Sequence, residues 1–419
     1  MSTGLAPSKL ATLRATWRTP IVIVVCGCAI STIAFGPRSA LGLFLPPMSA
    51  DNGWGRETFA FAIALQTLLY GAAQPFVGAI ADRFGTGRVI IGGATLYALG
   101  IGLMAHATTP GVLYFSNGVL VGFGLTGCSF NLIISSFGKL LPASWRSTAF
   151  GAGTAAGSFG QFLFSPLAVS LIDHVGWRSA LTTFAVLLLF IIPLSFAIAT
   201  PRQTDTAPGP RNAASNQNYR EALAEALTHR SYILLVLGFF TCGFQLGFVT
   251  VHLPSYLIDR GLSATIGGWT LGAIGLFNIV GAMTSGWLGN RMPKRYILSG
   301  IYFARALTVV ALITLPASPV VTLIFGAVTG LLWLSSVPPT SGLVALMFGT
   351  RWMAMLFGVA FFSHQVGGFL GVWLGGVVFE RTGSYDAVWW LSVLFGVLSA
   401  VINLPIVEKP VARLAPAPA

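Results

Sequence analysis

Apolar runs of roughly the 20 residues needed to cross a 30 Å hydrocarbon core follow one another through almost the whole chain, separated by short polar breaks. A soluble domain carries about 25% charged residues; this chain has 8%, with a mean hydropathy of +0.80. The pattern predicts spans near 20–48, 57–80, 88–106, 111–137, 148–172 and 179–199, then 231–257, 266–288, 296–315, 318–342, 354–379 and 386–406. The expected fold is therefore an all-α membrane protein with twelve transmembrane helices in two six-helix bundles. The bundles occupy 1–200 and 230–419, the second ending in a short cytoplasmic tail. The polar stretch 201–229 between them, with Asp205, Pro208, Pro210 and Asn212, reads as a loosely ordered cytoplasmic linker.

The net charge of +12 would suggest nucleic acid in a soluble protein, but the positions of the basic residues argue otherwise. With the N-terminus in the cytoplasm, Lys9, Arg14, Arg18, Arg83, Arg88, Lys139, Arg146, Arg202, Arg211, Arg220, Arg230, Arg291, Lys294, Arg295, Arg351, Lys409 and Arg413 fall inside. Only Arg56, Arg178, Arg260 and Arg381 fall outside. That asymmetry is the positive-inside rule, and it predicts a multi-pass cell-membrane protein (inner or plasma) with both termini cytoplasmic and no nucleic-acid partner. Cys26, Cys28, Cys128 and Cys242 all lie inside predicted spans, where they read as small apolar residues rather than disulfide or zinc ligands. The first run holds Pro37 and Arg38 and lacks a cleavage site, so it is expected to remain as the first helix. Paired carboxylates, metal-ligand spacing and nucleophile motifs are missing from the loops; no enzyme activity, metal or cofactor is expected.

The two halves repeat each other. Gly78-Ala-Ile-Ala-Asp82-Arg83-Phe-Gly85 answers Gly286-Trp-Leu-Gly-Asn290-Arg291-Met at an offset of 208; Phe150-Gly151 answers Phe357-Gly358, and Asp173 to Gly176 answers Glu380 to Gly383, both at 207. Repeats of this kind build transporters that rock about a central site. The segment Gly78-x-x-x-Asp82-Arg83-x-Gly85-x-x-Arg88 resembles the cytoplasmic loop signature of the major facilitator superfamily. Its glycines permit a tight turn and its Asp82 can accept hydrogen bonds from the neighbouring bundle, so Gly78, Asp82, Arg83, Gly85, Arg88, Asn290 and Arg291 are candidate gating residues. A narrower resemblance is to the monocarboxylate transporters and their bacterial oxalate-exchanger-like relatives. It rests on Pro37-Arg38-Ser39, on the small-residue helix Phe150 to Gly160, and on Gly375-Gly376-x-x-x-Glu380-x-Thr382-Gly383-Ser384-Tyr385-x-x-x-Trp389. One departure is that Asn278 and Ala282 stand where many members carry an Asp and an Arg, so the substrate anchor of that helix is missing. The glycine-rich spans five and eleven are expected to be rocking surfaces.

Only Arg38 and Arg305 fall at hydrocarbon depth, while all 11 acids fall in loops or tails. A charge at the bilayer centre costs at least about 2.5 kcal/mol on insertion scales, which makes it a functional candidate. Arg38 follows Gly36 and Pro37; it reads either as a carboxylate contact or as a tie to carbonyls of a broken helix. Arg305, on a helix that the resemblance places at the periphery, is a second choice and reads more readily as structural. His364 lies beside the stripe Gly368, Gly371, Gly375 and can relay a proton, bind an anion or simply pack. Asn131, Gln161, Gln245 and Asn278 are mid-span polar residues that either complete a site or glue helices together. Tyr70, Phe130, Trp333, Phe361 and Phe362 are assigned to lipid or core.

With no acid inside the spans, a cationic cargo has no partner. The expected function is a secondary transporter of small organic anions, mono- or dicarboxylates, acting by alternating access as a monomer in the lipid bilayer, with or without a proton. The alternative is a carrier of neutral or amphipathic metabolites or drugs with Arg38 structural.

Overall fold

A computed structural model describes residues 17–201, 219–349 and 352–411. Lys9, Arg14, Arg202, Arg211, Arg351, Arg413 and linker residues 202–218 lie outside the described residues, as does the side chain of Asp82. The spans begin with a recurring device. Thr19, Thr109 and Ser318 each precede a proline at the first helical turn, and each hydroxyl accepts the N–H of Val22, Val112 or Val321. The cap satisfies one orphan donor, and proline lacks another N–H that would have no partner.

The twelve helices are α1 (Pro20–Asn52), α2 (Arg56–Phe84), α3 (Thr86–Ala105), α4 (Pro110–Leu140), α5 (143–175), α6 (177–198), α7 (Arg230–Asp259), α8 (Ala264–Leu288), α9 (Lys294–Thr314), α10 (Pro319–Phe348), α11 (Met353–Thr382) and α12 (Asp386–Asn403). α5 and α6 run on as one helical stretch, Ser144–Ile198, of 55 residues. At 1.5 Å per residue this would reach about 80 Å, far beyond one bilayer crossing. Gly176, at φ 79° and ψ 159°, turns the chain back and divides it into two crossings. Among the described residues, eleven apolar stretches thus contain twelve spans.

Two details differ from the sequence reading. Tyr219–Thr228, in the stretch expected to be a loose linker, is a helix that buries Ala222 and Ala226, one turn apart. Asp82 and Glu380, expected in loops, sit in the last turns of α2 and α11, because those helices extend past the apolar run to Phe84 and Thr382.

α3, α6, α9 and α12 present Leu99, Val186, Leu307 and Val401 outward, each more than half exposed, as lipid-facing helices do. The halves meet along two seams. On one, Gly268, Gly272 and Gly275 of α8 bring its backbone against Val169, Phe162 and Ser158 of α5; a Cβ on Gly275 would lie 2.7 Å from the Ser158 carbonyl. On the other, Gly376 and Gly368 of α11 receive Ala60 and Thr67 of α2, while Gly71 of α2 receives Gln365. Close approach of backbones at small residues is the usual basis of helix packing in lipid. The glycines of α11 thus lie on a seam between the halves, whereas on the α5 seam the glycines come from α8. The α5 glycine Gly160 packs instead on Thr32 of α1 in its own half.

Hydrogen bonds and glycine contacts that join the halves gather at the level of Ser158–Asn278 and Gly71–Gln365 and farther from the N-terminal side. Toward that side the helices diverge. Gly78, Gly151, Gly286 and Gly358 each face open space, with nothing within 4 Å of an added Cβ. The halves are thus joined on the far side, with open space at these four glycines on the side of the N-terminus.

Candidate functional site: a half-buried arginine above a one-sided cavity

The backbone of α1 sets Arg38. Pro37 supplies no N–H, Ser39 donates its hydroxyl to Gly36 O at 2.7 Å, and Leu41 N–H bonds back to Arg38 O, tightening the helix to a 3₁₀ turn over Leu41–Phe44. Gly36 lies flat against the Phe164 ring of α5, where a side chain has no room. The half-buried guanidinium sits 4.7 Å from the Tyr70 ring centroid and 5.9 Å from that of Phe35. No carboxylate among the described residues pairs with it. Cation–π contact returns about 0.5–2 kcal/mol, so the charge keeps its demand for an anion.

Tyr70 links the arginine to both walls. Gln74, one turn along α2, lies beside the Tyr70 hydroxyl and accepts a long 3.5 Å contact from the exposed Asn131 of α4. Across the seam, Phe361 of α11 meets Tyr70 edge-on at 5.9 Å and stacks on His364 at 5.8 Å with planes 5° apart. Gln365 donates from Nε2 to Thr67 O at 3.1 Å, so its Oε1 is the atom facing His364 Nδ1 at 2.9 Å. An amide oxygen only accepts; Nδ1 therefore carries a hydrogen, and the neutral ring keeps its lone pair on Nε2. Phe239 packs on the same ring at 5.0 Å, and Cys242, whose Sγ is 3.3 Å from Ser336 Oγ, lies beside it. Arg38, Tyr70, Phe361 and His364 thus form one continuous line across both halves. Tyr70 and Phe361, read from sequence as lipid or core, belong to it.

The structure places the other candidates elsewhere. Asn278 donates to Ser158 Oγ at 2.8 Å and accepts Leu334 N–H at 2.9 Å, tying α8 to α5 and α10. Gln161 donates to Leu271 O at 3.2 Å, and Gln245 to Ser392 O at 3.0 Å. All three are buried. Arg305 faces into its bundle and holds Leu332 O through Nε (3.1 Å) and Nη2 (2.5 Å), and Trp333 O through Nη2. Those carbonyls lie where α10 is interrupted between Leu332 and Val337 and lose their helical donors. Arg305→Met should therefore lower stability by about 3 kcal/mol, since charged hydrogen bonds are worth about 1.5–3 kcal/mol net and two buried acceptors are orphaned. A thermal-unfolding midpoint within 1 °C of wild type in detergent would contradict that.

The described side chains of the loop motif pack within their own halves. Gly85, at φ 89°, packs on Thr200 O and turns α2 into α3; Arg83 lies over Phe84 at 5.4 Å, Arg291 over Trp287 at 3.9 Å, and Arg88 is exposed. Asn290 N–H bonds to Trp287 O within its own turn.

The closed far side is held by residues that carried no assignment from sequence. Arg56, at the start of α2, grips Asp259 of α7 with two bonds of 2.6 and 2.7 Å and donates to the Tyr385 hydroxyl at 3.0 Å. Its backbone N–H donates to Glu380 at 3.0 Å, and its guanidinium lies 3.7 Å from the Phe379 ring centroid. The partners are 203 and 324 residues away in sequence, so no local pattern announces the pair.

Twelve apolar spans in two halves joined along far-side seams are the architecture of a multi-pass membrane transporter. The chain belongs to the Major Facilitator Superfamily, whose sequence profile matches residues 27–372. It is 27% identical over 388 residues to the uncharacterized MFS-type transporter YcxA of Bacillus subtilis (strain 168), covering 90% of this chain and 92% of that one. It is 25% identical to human monocarboxylate transporter 11 (88% and 79% covered) and to bovine monocarboxylate transporter 13 (87% and 84%). In fold it is similar to a bacterial homolog of the human lysosomal transporter Spinster, with a TM-score of 0.72 at 14% identity (92% and 96% covered). A D-xylose-proton symporter gives 0.70 at 15% (93% and 99%). Members of this family carry small molecules and are not enzymes.

Proposed function

We propose that this transporter carries small organic anions, carboxylates first, by alternating access, with Arg38 as the anion's partner. The observation that carries the reading is a half-buried guanidinium between aromatic rings with no carboxylate partner among the described residues. A planar fork of donors suits a carboxylate, forming two parallel charge-assisted bonds. Phe35, Tyr70 and Phe361 offer faces to the apolar part of such a cargo, and Asn131 with Gln74 offers amides on the N-terminal side. The monocarboxylate transporters among the relatives support the same substrate class. His364 Nε2 is the position where a proton accompanying the anion binds.

The bias of the basic residues supports a cytoplasmic N-terminal side. That reading makes the state described above inward-open, with the Arg56 clasp and both glycine seams closed outside; Gly78, Asp82, Arg83, Gly85, Arg88, Asn290 and Arg291 are the residues assigned to the inner gate. They come together when the cavity turns outward. Bound ligand stabilises the folded state by about 2.7 kcal/mol at 100 times its dissociation constant. A thermal-shift screen of mono- and dicarboxylates against purified protein should thus give saturable rises in Tm for some acids and none for their amides. Equal shifts for acid and amide would favour a carrier of neutral compounds, with Arg38 structural.

A further inference from the structure

His252, near the far end of α7, is fully buried and belongs to no part of the anion site. We propose that His252 is a proton-binding site governed by the Arg56 clasp, kept neutral while the far side is closed and loaded from far-side water when it opens. The inference does not depend on what the cavity carries.

The argument starts from hydrogen-bond direction. His252 Nε2 is 2.7 Å from Val372 O, its Nδ1 is 3.2 Å from the Tyr385 hydroxyl, and that hydroxyl is 3.0 Å from Arg56 Nη1. A carbonyl only accepts, so Nε2 bears the hydrogen; arginine only donates, so the Tyr385 oxygen accepts from it. The Tyr385 O–H is then directed to the lone pair on Nδ1. One neutral arrangement satisfies the whole line from Arg56 to Val372.

A proton added to Nδ1 breaks that line. Two donors would then face one phenol oxygen, whose hydrogen would have to swing to the buried Ser255 Oγ beside it, and a second cation would stand behind Arg56 at a fully buried position. Phe248 packs on the ring at 5.5 Å, and Gly375 presses so close that a side chain there would overlap it. The ionisable groups around the ring are Arg56 from α2, Asp259 and Tyr256 from α7, Glu380 from α11 and Tyr385 ahead of α12. All but Arg56 belong to the same half as His252. When the halves part on the far side, Arg56 therefore leaves alone. Asp259 loses its cation and Glu380 the Arg56 backbone N–H, the Tyr385 hydroxyl is free to turn, and water reaches Nδ1. The imidazolium then has acceptors and nearby negative charge. The step adds one proton from far-side water to Nδ1, and nothing leaves.

Because the proton binds the far-side-open state and not the closed one, falling pH must favour opening, by up to tenfold in the population ratio per pH unit below the open-state pKa of a solvated histidine near 6.5. Nitroxide labels at His174 on α5 and Thr265 on α8, with the four native cysteines changed to alanine, read the far-side separation by pulsed electron resonance. Between pH 7.5 and 5.5 the ratio of open to closed molecules should rise about tenfold. His252→Gln keeps a donor for Val372 O and an acceptor for Tyr385 but cannot titrate there, so its ratio should stay within twofold. Tyr385→Phe cuts the line between clasp and ring and should lose most of the response, whereas His364→Gln should keep it. A pH response in His252→Gln within twofold of the parent, or no response in the parent, overturns the assignment.

Discussion

Arg38→Gln should weaken binding and transport of a carboxylate by about 30-fold or more while leaving the protein folded. Removing one member of a desolvated, hydrogen-bonded charge pair costs about 2–5 kcal/mol, and each 1.4 kcal/mol is tenfold in affinity. The half-exposure of Arg38 puts the expected loss at the lower end of that range. Folding is spared because the contacts of its guanidinium are to the rings of Phe35 and Tyr70, which glutamine can still cover. Arg38→Lys, keeping charge but losing the planar fork, should fall between the two. Titration of purified variants with a transported acid checks the order. Wild-type affinity in Arg38→Gln would move Arg38 to a structural role.

The second large effect is expected at the far-side clasp. Arg56→Gln should raise the far-side-open population about 30-fold. Exposed ion pairs are worth at most about 1 kcal/mol. Here, however, the side chains are 20% and 33% exposed, the pair is doubly bonded, and the guanidinium also holds Tyr385 and the Phe379 face. Together these support about 2 kcal/mol, which is about 30-fold in a two-state ratio. Asp259→Asn should give a smaller change in the same direction, and exchanging the two residues (Arg56→Asp with Asp259→Arg) should recover part of it. The measurement is the rate of thiol labelling at a cysteine placed on the far ends of α2 or α11. Equal rates in wild type and Arg56→Gln would show that the glycine seams alone hold the far side shut.

How much of this was legible depended on range. The spans were, since Thr19-Pro20 or Ser318-Pro319 before an apolar run is a local instruction, and the repeat of Asp173 to Gly176 in Glu380 to Gly383 marked the turn that Gly176 makes. Arg38 was legible as a charge with no acid at its depth. The polar residues were not separable in advance: Asn278 and Asn131 give the same signal in sequence. Only the distances to Ser158 Oγ and Leu334 N show that the Asn278 amide is fully occupied by helices. Arg305 differs from Arg38 only in finding the free carbonyls of α10. The glycine stripe Gly268, Gly272, Gly275 stands at helical spacing in the sequence, but spacing alone does not say which helix it faces.

The central claim, a carboxylate carried against an unpaired arginine, is tested most directly by transport in liposomes holding this protein alone. A labelled acid that raises Tm is presented beside its uncharged amide. Saturable, counterflow-stimulated uptake of the acid, absent for the amide and lost in Arg38→Gln, is the expected result. Equal uptake of acid and amide, unaffected by Arg38→Gln, would contradict it.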